Sequence, residues 1–503
     1  MIRFSPNPNT AHLIRWREWG PDAFESAHEQ DKPVMLLIGA FWCAFCQRMD
    51  ETAFSNEEVA ALLNAYFIPV RTEDAQRPDV DARYNQNGWP TVVFMAPGGA
   101  PLAAVNYLDA EDFASVLVRV HIAYQEAKDK FSDTAEAAAT EGVATETVIS
   151  VNDKPRFEAL AEISSALMAM ADGENGGFGP DHRFPHPEAL DFLLYRFERT
   201  GEVRYLDHVA LTLDKLRAGA TWDARGGGFF RYSSKPDWSE PHREKLLDDH
   251  AGVLDKSLYL FRLSGRAEYR RLAGEIIDYL NATLSAPIGS TASGAFYGCE
   301  DLVRPTGDEP SLADPTNWYA VIDELIYTDA NARAASAYLE AARVLERPEL
   351  KDRALEVLEF LWIHCRLSIG PMCHYFDGEA HAPGLLIDQA YTGLALLDAH
   401  RATEDDVFLM RAIHLGESVL ILHASPSGGF YDIGQLGPAH LRHPLILIVD
   451  NGVAAQFFLR LAEAAGQPKY RQAAVRALAA FTGELAPYGV YAASYGRALG
   501  GVL

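Results

Sequence analysis

The pair in Cys43-Ala44-Phe45-Cys46, led by Phe41-Trp42 and followed far downstream by Gly88-Trp89-Pro90-Thr91, constrains this 503-residue chain more than any other feature. Two thiols spaced C-x-x-C can meet within one turn where a strand runs into a helix. There the helix N-terminus stabilises the first thiolate and lowers its pKa. The competing reading is half of a zinc site. Cys299, Cys365 and Cys373 are scattered and offer no second C-x-x-C, which makes zinc the weaker of the two.

The segment around the pair reads β/α. Pro21 to Asp31 has a helical pattern, and Val34 to Gly39 is a short apolar run suited to a buried strand. A helix opens at Cys43, and Ser55-Asn56-Glu57-Glu58 caps another that ends near Tyr66. Strands follow at Phe67 to Arg71 and Thr91 to Met95, with a turn at Ala96-Pro97-Gly98-Gly99 and a closing helix from Asp109 to Ala127. An aromatic before the first cysteine and a later Pro-Thr are similar to a thioredoxin-like redox site. In that fold the proline is cis and faces the sulfurs, so Pro90 is a candidate site residue beside Cys43 and Cys46.

Beyond residue 155 the pattern changes to long amphipathic helices with an internal repeat. Asp249-His250-Ala251, Asp329-Ala330-Asn331, Asp388-Gln389-Ala390 and Asp450-Asn451-Gly452 each precede an Ala/Leu-rich helix. Three of these helices break at the same distance, at Gly265, Leu345 and Gly466, and a second helix follows. Between helix pairs lie Gly176-Gly177-Phe178, Gly227-Gly228-Phe229, Gly294-Ala295-Phe296-Tyr297 and Gly428-Gly429-Phe430-Tyr431. Five pairs, a leading helix and a closing terminal segment fit a toroid of about six α-hairpins better than an open solenoid, given these aromatic loops. The expected architecture is multidomain, α/β plus all-α: residues 1–130 thioredoxin-like, 131–152 connecting, and 153–503 an (α/α)6 barrel.

These residues resemble the YyaL-like, spermatogenesis-associated thioredoxin-like family, which joins such a domain to a toroid related to sugar epimerases and glycosidases. The resemblance rests on Trp16, Trp19-Gly20, Asp31-Lys32-Pro33, the cysteine pair and Gly88-Trp89-Pro90. It continues through Gly176 to Gly179 and the run Gly226 to Asp249. It implies a Cys43 nucleophile and a Cys46 resolving thiol. The chain also departs from the family. Ala44 and Gln47 stand where a histidine usually follows each cysteine, and Leu37 replaces the buried Asp that thioredoxins place before the pair. In the toroid an Asp-rich stretch shrinks to Glu300-Asp301, and a Trp-Asn becomes Ala330-Asn331.

Trp238, His242, Glu244, Lys245, Asp249, Asp301 and Asp388 are the candidate ligand-binding residues of the toroid, with His374, His440, Arg442 and His443 on other loops. Asp249, Asp329, Asp388 and Asp450 sit where an N-cap belongs, which supplies a purely structural reason for them. Phe229, Phe230, Tyr232, Phe296, Tyr297, Phe430 and Tyr431 offer rings on which a sugar can stack, or plug the barrel mouth.

The functional expectation is a thiol–disulfide oxidoreductase with a protein redox partner and a toroid that takes a carbohydrate-like or peptide ligand. A carbohydrate-active epimerase, isomerase or glycosidase with the thioredoxin-like domain as a docking module is the alternative, and a non-catalytic scaffold the third. No cofactor or metal is read from the sequence. The net charge of −26 disfavours nucleic acid. No apolar run reaches membrane-spanning length, and the N-terminus shows no secretory pattern, so a reducing cytoplasm is expected.

Overall fold

The computed structural model describes residues 2–141, 158–305, 318–481 and 483–502, and side chains outside 127–157. The chain divides into two compact units. One gathers Met1–Glu146 with Leu302–Val321 and Gln435–Pro444; the other holds Thr147–Asp301, Ile322–Gly434 and Leu445–Leu503.

The first unit runs α1 (Pro21–Gln30), β1 (Val34–Gly39), α2 (Ala44–Glu51), α3 (Glu57–Tyr66), β2 (Ile68–Glu73), α4 (Pro78–Tyr84), β3 (Thr91–Met95), β4 (Pro101–Val105) and α5 (Ala110–Glu141). The sheet order is β2-β1-β3-β4. β1 pairs parallel with β2, Val34 opposite Ile68, and antiparallel with β3, Ile38 opposite Thr91. β1 and β3 are buried along their whole length, as their unbroken apolar runs require. Leu37, Met49, Phe54, Phe94 and Phe113 form the core under one face. Asn56 caps α3 by accepting from the N–H groups of Glu58 and Val59, as its sequence position suggests. α5 extends to Glu141, so the first part of the 131–152 segment is helical, and the rest lies outside the described residues. His440 also belongs to this unit. It stacks on Tyr84 at 5.0 Å, and its N–H donates to the Tyr84 hydroxyl.

The second unit is built on helices α6 (Glu158–Met170), α7 (Pro187–Thr200), α8 (Val203–Ala218), then β5 (Glu244–Leu246), α9 (Leu247–Ser264), α10 (Ala267–Tyr279) and β6 (Cys299–Val303). After β7 (Tyr319–Asp323), whose first three residues are counted with the first unit, and β8 (Ile326–Tyr327) come α11 (Thr328–Val344), α12 (Pro348–His364), β9 (Cys373–Phe376), β10 (Ala380–Pro383), α13 (Leu386–Thr403) and α14 (Asp406–Leu422). α15 (Ile448–Ala465), α16 (Pro468–Ala479) and α17 (Ala493–Val502) close the unit. Neighbours in space are α7, α9, α11, α13, α15 and α17, and α17 packs back onto α7, so six inner helices form a closed ring. Outside them α8, α10, α12, α14 and α16 each cover the inner helix that precedes them, and α6 covers α17. This is a complete (α/α)6 toroid, not an open solenoid. The inner helices are rich in alanine because each touches two ring neighbours and an outer helix. Gly265 and Gly466 end α9 and α15 in the left-handed region, φ 69° and 65°, where a side chain would be strained.

Candidate functional site

The strand–turn–helix β1–α2 places both sulfurs. Cys43 is the N-cap of α2, and its Sγ accepts the Cys46 N–H at 3.1 Å. Cys43 and Cys46 are disulfide-bonded and only 7% and 6% exposed. Trp42 and Trp89, edge to face with each other at 5.3 Å, pack against them, and the Trp89–Pro90 bond is cis. Ala40, Cys43, Cys46, Trp42 and Trp89 share one small cluster, and Pro90 follows Trp89 in the chain. Trp89 is held by its indole N–H, which donates to Asp81 at 3.0 Å; burial raises the Asp81 pKa against that bond and one from Asn85. Gln47, at a position where the family carries histidine, donates to the Phe41 carbonyl at 3.0 Å and braces the turn. Leu37 lies in the core beneath, so no acid stands at the thioredoxin position. Asp50, also buried, is forked to Arg71 at 2.6 and 2.8 Å and accepts the Ser5 N–H, which fits it for structure and not for proton transfer. Phe45, between the cysteines, is 50% exposed and leans on Tyr107.

In the toroid the aspartates are not N-caps. Leu246, Tyr327, Leu385 and Leu447 occupy those positions, and none makes a side-chain cap bond. Asp249, Asp388 and Asp450 are the third residue of their helices and Asp329 the second. The structural work falls to the fourth residue, His250, Asn331, Gln389 or Asn451. Each reaches back to the glycine-aromatic loop before it. Asn451 accepts the Phe430 N–H at 2.7 Å and donates to the carbonyls of Phe430 and Leu447. Asn331 treats Phe296 and Tyr327 in the same way, and Gln389 treats Met372 and Leu385. His250 accepts from Phe229 N–H at 3.0 Å and donates to the Leu246 carbonyl at 2.6 Å. The sequence alignment on aspartate was one residue out of register in α11, where Asn331 is the equivalent of His250.

That clamp leaves the first-turn carboxylates free of capping duty, gathered at the N-terminal ends of the inner helices. Asp249 is raised well above the carboxylate range by burial and by Asp248, with Arg231 and Arg333 opposing. Asp388 is pushed up to about 6 by burial, although His374 Nδ1 lies 3.0 and 3.1 Å from its two oxygens. Asp450 rises to about 7 through burial and the charges of Asp432, Asp388 and Asp329. Glu244 is buried against Arg231 at 3.6 Å, and burial raises it. His242 stacks on Tyr232 at 4.1 Å, shares a 2.7 Å hydrogen bond with its hydroxyl, and drops to about 4 through burial. Glu244 and Asp301 face each other across the β5–β6 ladder.

Trp238, Lys245 and Asp301 are enclosed in the loop layer. Trp238 donates its indole N–H to the Asn175 carbonyl. Lys245, 0% exposed, is bound by Asp223 at 2.7 Å, Glu300 at 2.9 Å and the Gly227 carbonyl at 3.0 Å. Phe229, Phe296 and Phe430 are packed as well, while Tyr232, Tyr297 and Tyr431 remain partly open. Sequence reasoning missed Glu188, Asp248 and Arg333, because single charges at helix starts carry no motif. A cavity of about 660 Å³ runs between the inner helices, with Glu188, Lys256, Arg333, Tyr391, Arg460 and Arg497 contributed one by each.

Together the units define a thioredoxin-like dithiol domain and a six-hairpin toroid in one chain. Residues 8–141 match the family Thioredox_DsbH, described as a protein of unknown function, DUF255. Spermatogenesis-associated protein 20 of mouse is 32% identical over 315 residues, 58% of this chain and 39% of that protein, so the chain matches well under half the length of this relative. Thiol:disulfide interchange protein DsbD 1 of Pseudomonas aeruginosa is 35% identical over 104 residues, 19% of this chain and 17% of that protein. Cellobiose 2-epimerase from Bacillus thermoamylovorans matches with a TM-score of 0.51 at 13% identity, over 64% of this chain and 84% of that one, a likeness of fold alone. Among the described residues no helix is long and apolar enough to cross a membrane.

Proposed function

We propose that the chain carries out thiol–disulfide exchange with a protein partner in a reducing cytoplasm. The observation that carries this reading is the Cys43–Cys46 pair with Cys43 as helix N-cap, its sulfur receiving the Cys46 N–H. In the reduced form the Cys43 thiolate attacks a partner disulfide, forms a Cys43–partner bond and expels the other partner thiolate. Cys46 then attacks the Cys43 sulfur, expels the second partner thiolate and closes the Cys43–Cys46 bond, so two electrons and two protons pass to the partner. Without an acid at Leu37, the proton of Cys46 leaves through solvent. The exposed Phe45 gives an unfolded or extended polypeptide an apolar contact beside the sulfurs. Equilibration of the pair against glutathione tests the reading.

A second reading concerns the toroid: its mouth binds a sugar-like ligand, with acid–base chemistry of the epimerase, isomerase or glycosidase type as its elaboration. Asp388, pushed up to about 6, and Asp450, pushed up to about 7, favour it, as does Asp249, raised by burial and by Asp248. The similarity of fold to a sugar epimerase adds to it by analogy only.

A further inference from the structure

We propose that Asp329, His374 and Asp388 form a divalent-metal site at the N-terminal end of the toroid's inner helices. Each of the three offers one ligand atom, and these atoms all lie within 4.8 Å of one another. They come from three elements: the first turn of α11, strand β9, and the first turn of α13. The sequence separations, 45 and 14 residues, match no metal motif, so the grouping is visible only in the fold.

Geometry and rigidity both suit a metal. Metal–ligand bonds of about 2.1 Å place neighbouring octahedral ligands about 3.0 Å apart. The His374 Nδ1 and Asp388 Oδ1 atoms stand 3.0 Å apart already. Asp388 is fully buried and His374 is 4% exposed, so neither side chain has to be ordered on binding. Both helix starts are pinned, α11 by Asn331 on the Phe296 loop and α13 by Gln389 on Met372. β9 is fixed between β8 and β10, with Tyr375 opposite both Tyr327 and His381. Asp329 is half-buried and closes the group from the open side.

Charge supports the same conclusion. Asp450 feels the charges of three carboxylates, Asp432, Asp388 and Asp329. Arg333, the neighbouring cation, is paired with Glu188 at 2.7 Å and with Asp248 at 3.8 Å, so its one charge is shared. A dication placed among Asp329, His374 and Asp388 relieves a repulsion that a simple His–Asp hydrogen bond leaves in place. One imidazole nitrogen with two carboxylates selects Mn²⁺ or Zn²⁺ over Ca²⁺, which prefers an all-oxygen shell. The remaining coordination positions fall to water or to the hydroxyls of a ligand. This inference is independent of the thiol chemistry at Cys43.

The test uses the full chain with Cys43→Ser and Cys46→Ser, which removes the C-x-x-C thiols and leaves only the buried Cys299, Cys365 and Cys373, stripped by chelator and titrated with Mn²⁺ and then Zn²⁺. Calorimetry is expected to show one ion per chain with a micromolar dissociation constant. Pulsed electron paramagnetic resonance of the Mn²⁺ form is expected to show coupling to one nitrogen. His374→Gln should abolish the nitrogen coupling, and both it and Asp329→Asn should weaken binding by about 10- to 100-fold or more. If His374→Gln does not fold, Asp329→Asn, at a half-buried position, decides alone. Absence of saturable binding below millimolar metal overturns the proposal. So does binding without nitrogen coupling, or binding unchanged by Asp329→Asn; the His374–Asp388 pair is then a hydrogen-bonded dyad only.

Discussion

His250 performs with a titratable ring the clamp that Asn331, Gln389 and Asn451 perform with amides. The buried ring accepts at Nε2 from Phe229 and donates from Nδ1 to Leu246, so it must be neutral in the native state. Gly228, at φ +68°, lies so close that an added Cβ would stand 2.7 Å from Nε2, so the ring packs directly against the loop backbone. Burial holds the native pKa down at about 3, the Leu246 bond opposing and the Lys245 charge assisting. In the unfolded chain the ordinary value is about 6.5. The unfolded state therefore binds more protons between pH 3 and 6.5, and stability falls as pH drops through 6.5 towards 3. From pH 7 to pH 5 the loss from this one group is about 2 kcal/mol, and a one-unit error in the native value hardly changes it. His250→Asn keeps an acceptor for Phe229 and a donor for Leu246 while removing the titration. Urea unfolding of the toroid at pH 7 and pH 5 should show the variant losing about 2 kcal/mol less than the parent over that interval. His423, depressed to about 4 by burial, titrates in both proteins and cancels in the comparison. Equal pH dependence in the two proteins would refute the neutral-clamp assignment, and so would a variant that does not fold at pH 7.

Lys245→Met should destabilise the toroid by about 3–5 kcal/mol in urea at pH 7, because Asp223 and Glu300 lose a buried counterion. Adding Glu300→Gln should recover part of that loss, and a variant of unchanged stability would return Lys245 to the set of ligand-binding candidates. Cys46→Ser, mixed with oxidised glutathione, should hold one glutathione on Cys43 as judged by intact mass, and Cys43→Ser should hold none at residue 46. The reverse pattern would exchange the two roles.

Much of the architecture is legible in the sequence because it rests on local periodicity. The apolar runs Val34–Gly39 and Thr91–Met95 are strands with those boundaries, and the repeating helix pairs close into six hairpins. The redox site is legible for a related reason: Cys43 and Cys46 are neighbours in one helical turn, so spacing alone brings them together. The toroid mouth is different. Its aspartates have the composition of N-caps, yet the chain starts these inner helices one or two residues earlier, on Leu247, Thr328, Leu386 or Ile448. An apolar residue at the cap followed by Asp at the second or third position, and by Asn, Gln or His at the fourth, is the pattern that distinguishes the two cases. Lys245, adjacent to Glu244 in sequence, reads as a site residue because only the fold shows that strand alternation turns it towards Asp223 and Glu300. The approach of Asp329, His374 and Asp388 depends on ring closure of the inner helices, and no local signal encodes it.

The central claim is that Cys43 and Cys46 form a working redox couple, and its most direct measurement is their reduction potential. The full chain is equilibrated across a series of glutathione ratios, alkylated, and scored by mass for the reduced pair. A potential between about −270 and −200 mV, the range from thioredoxin to glutaredoxin, is the predicted result. A pair that stays closed below about −300 mV is a structural cross-link, and one that never closes is an inert dithiol; either contradicts the account.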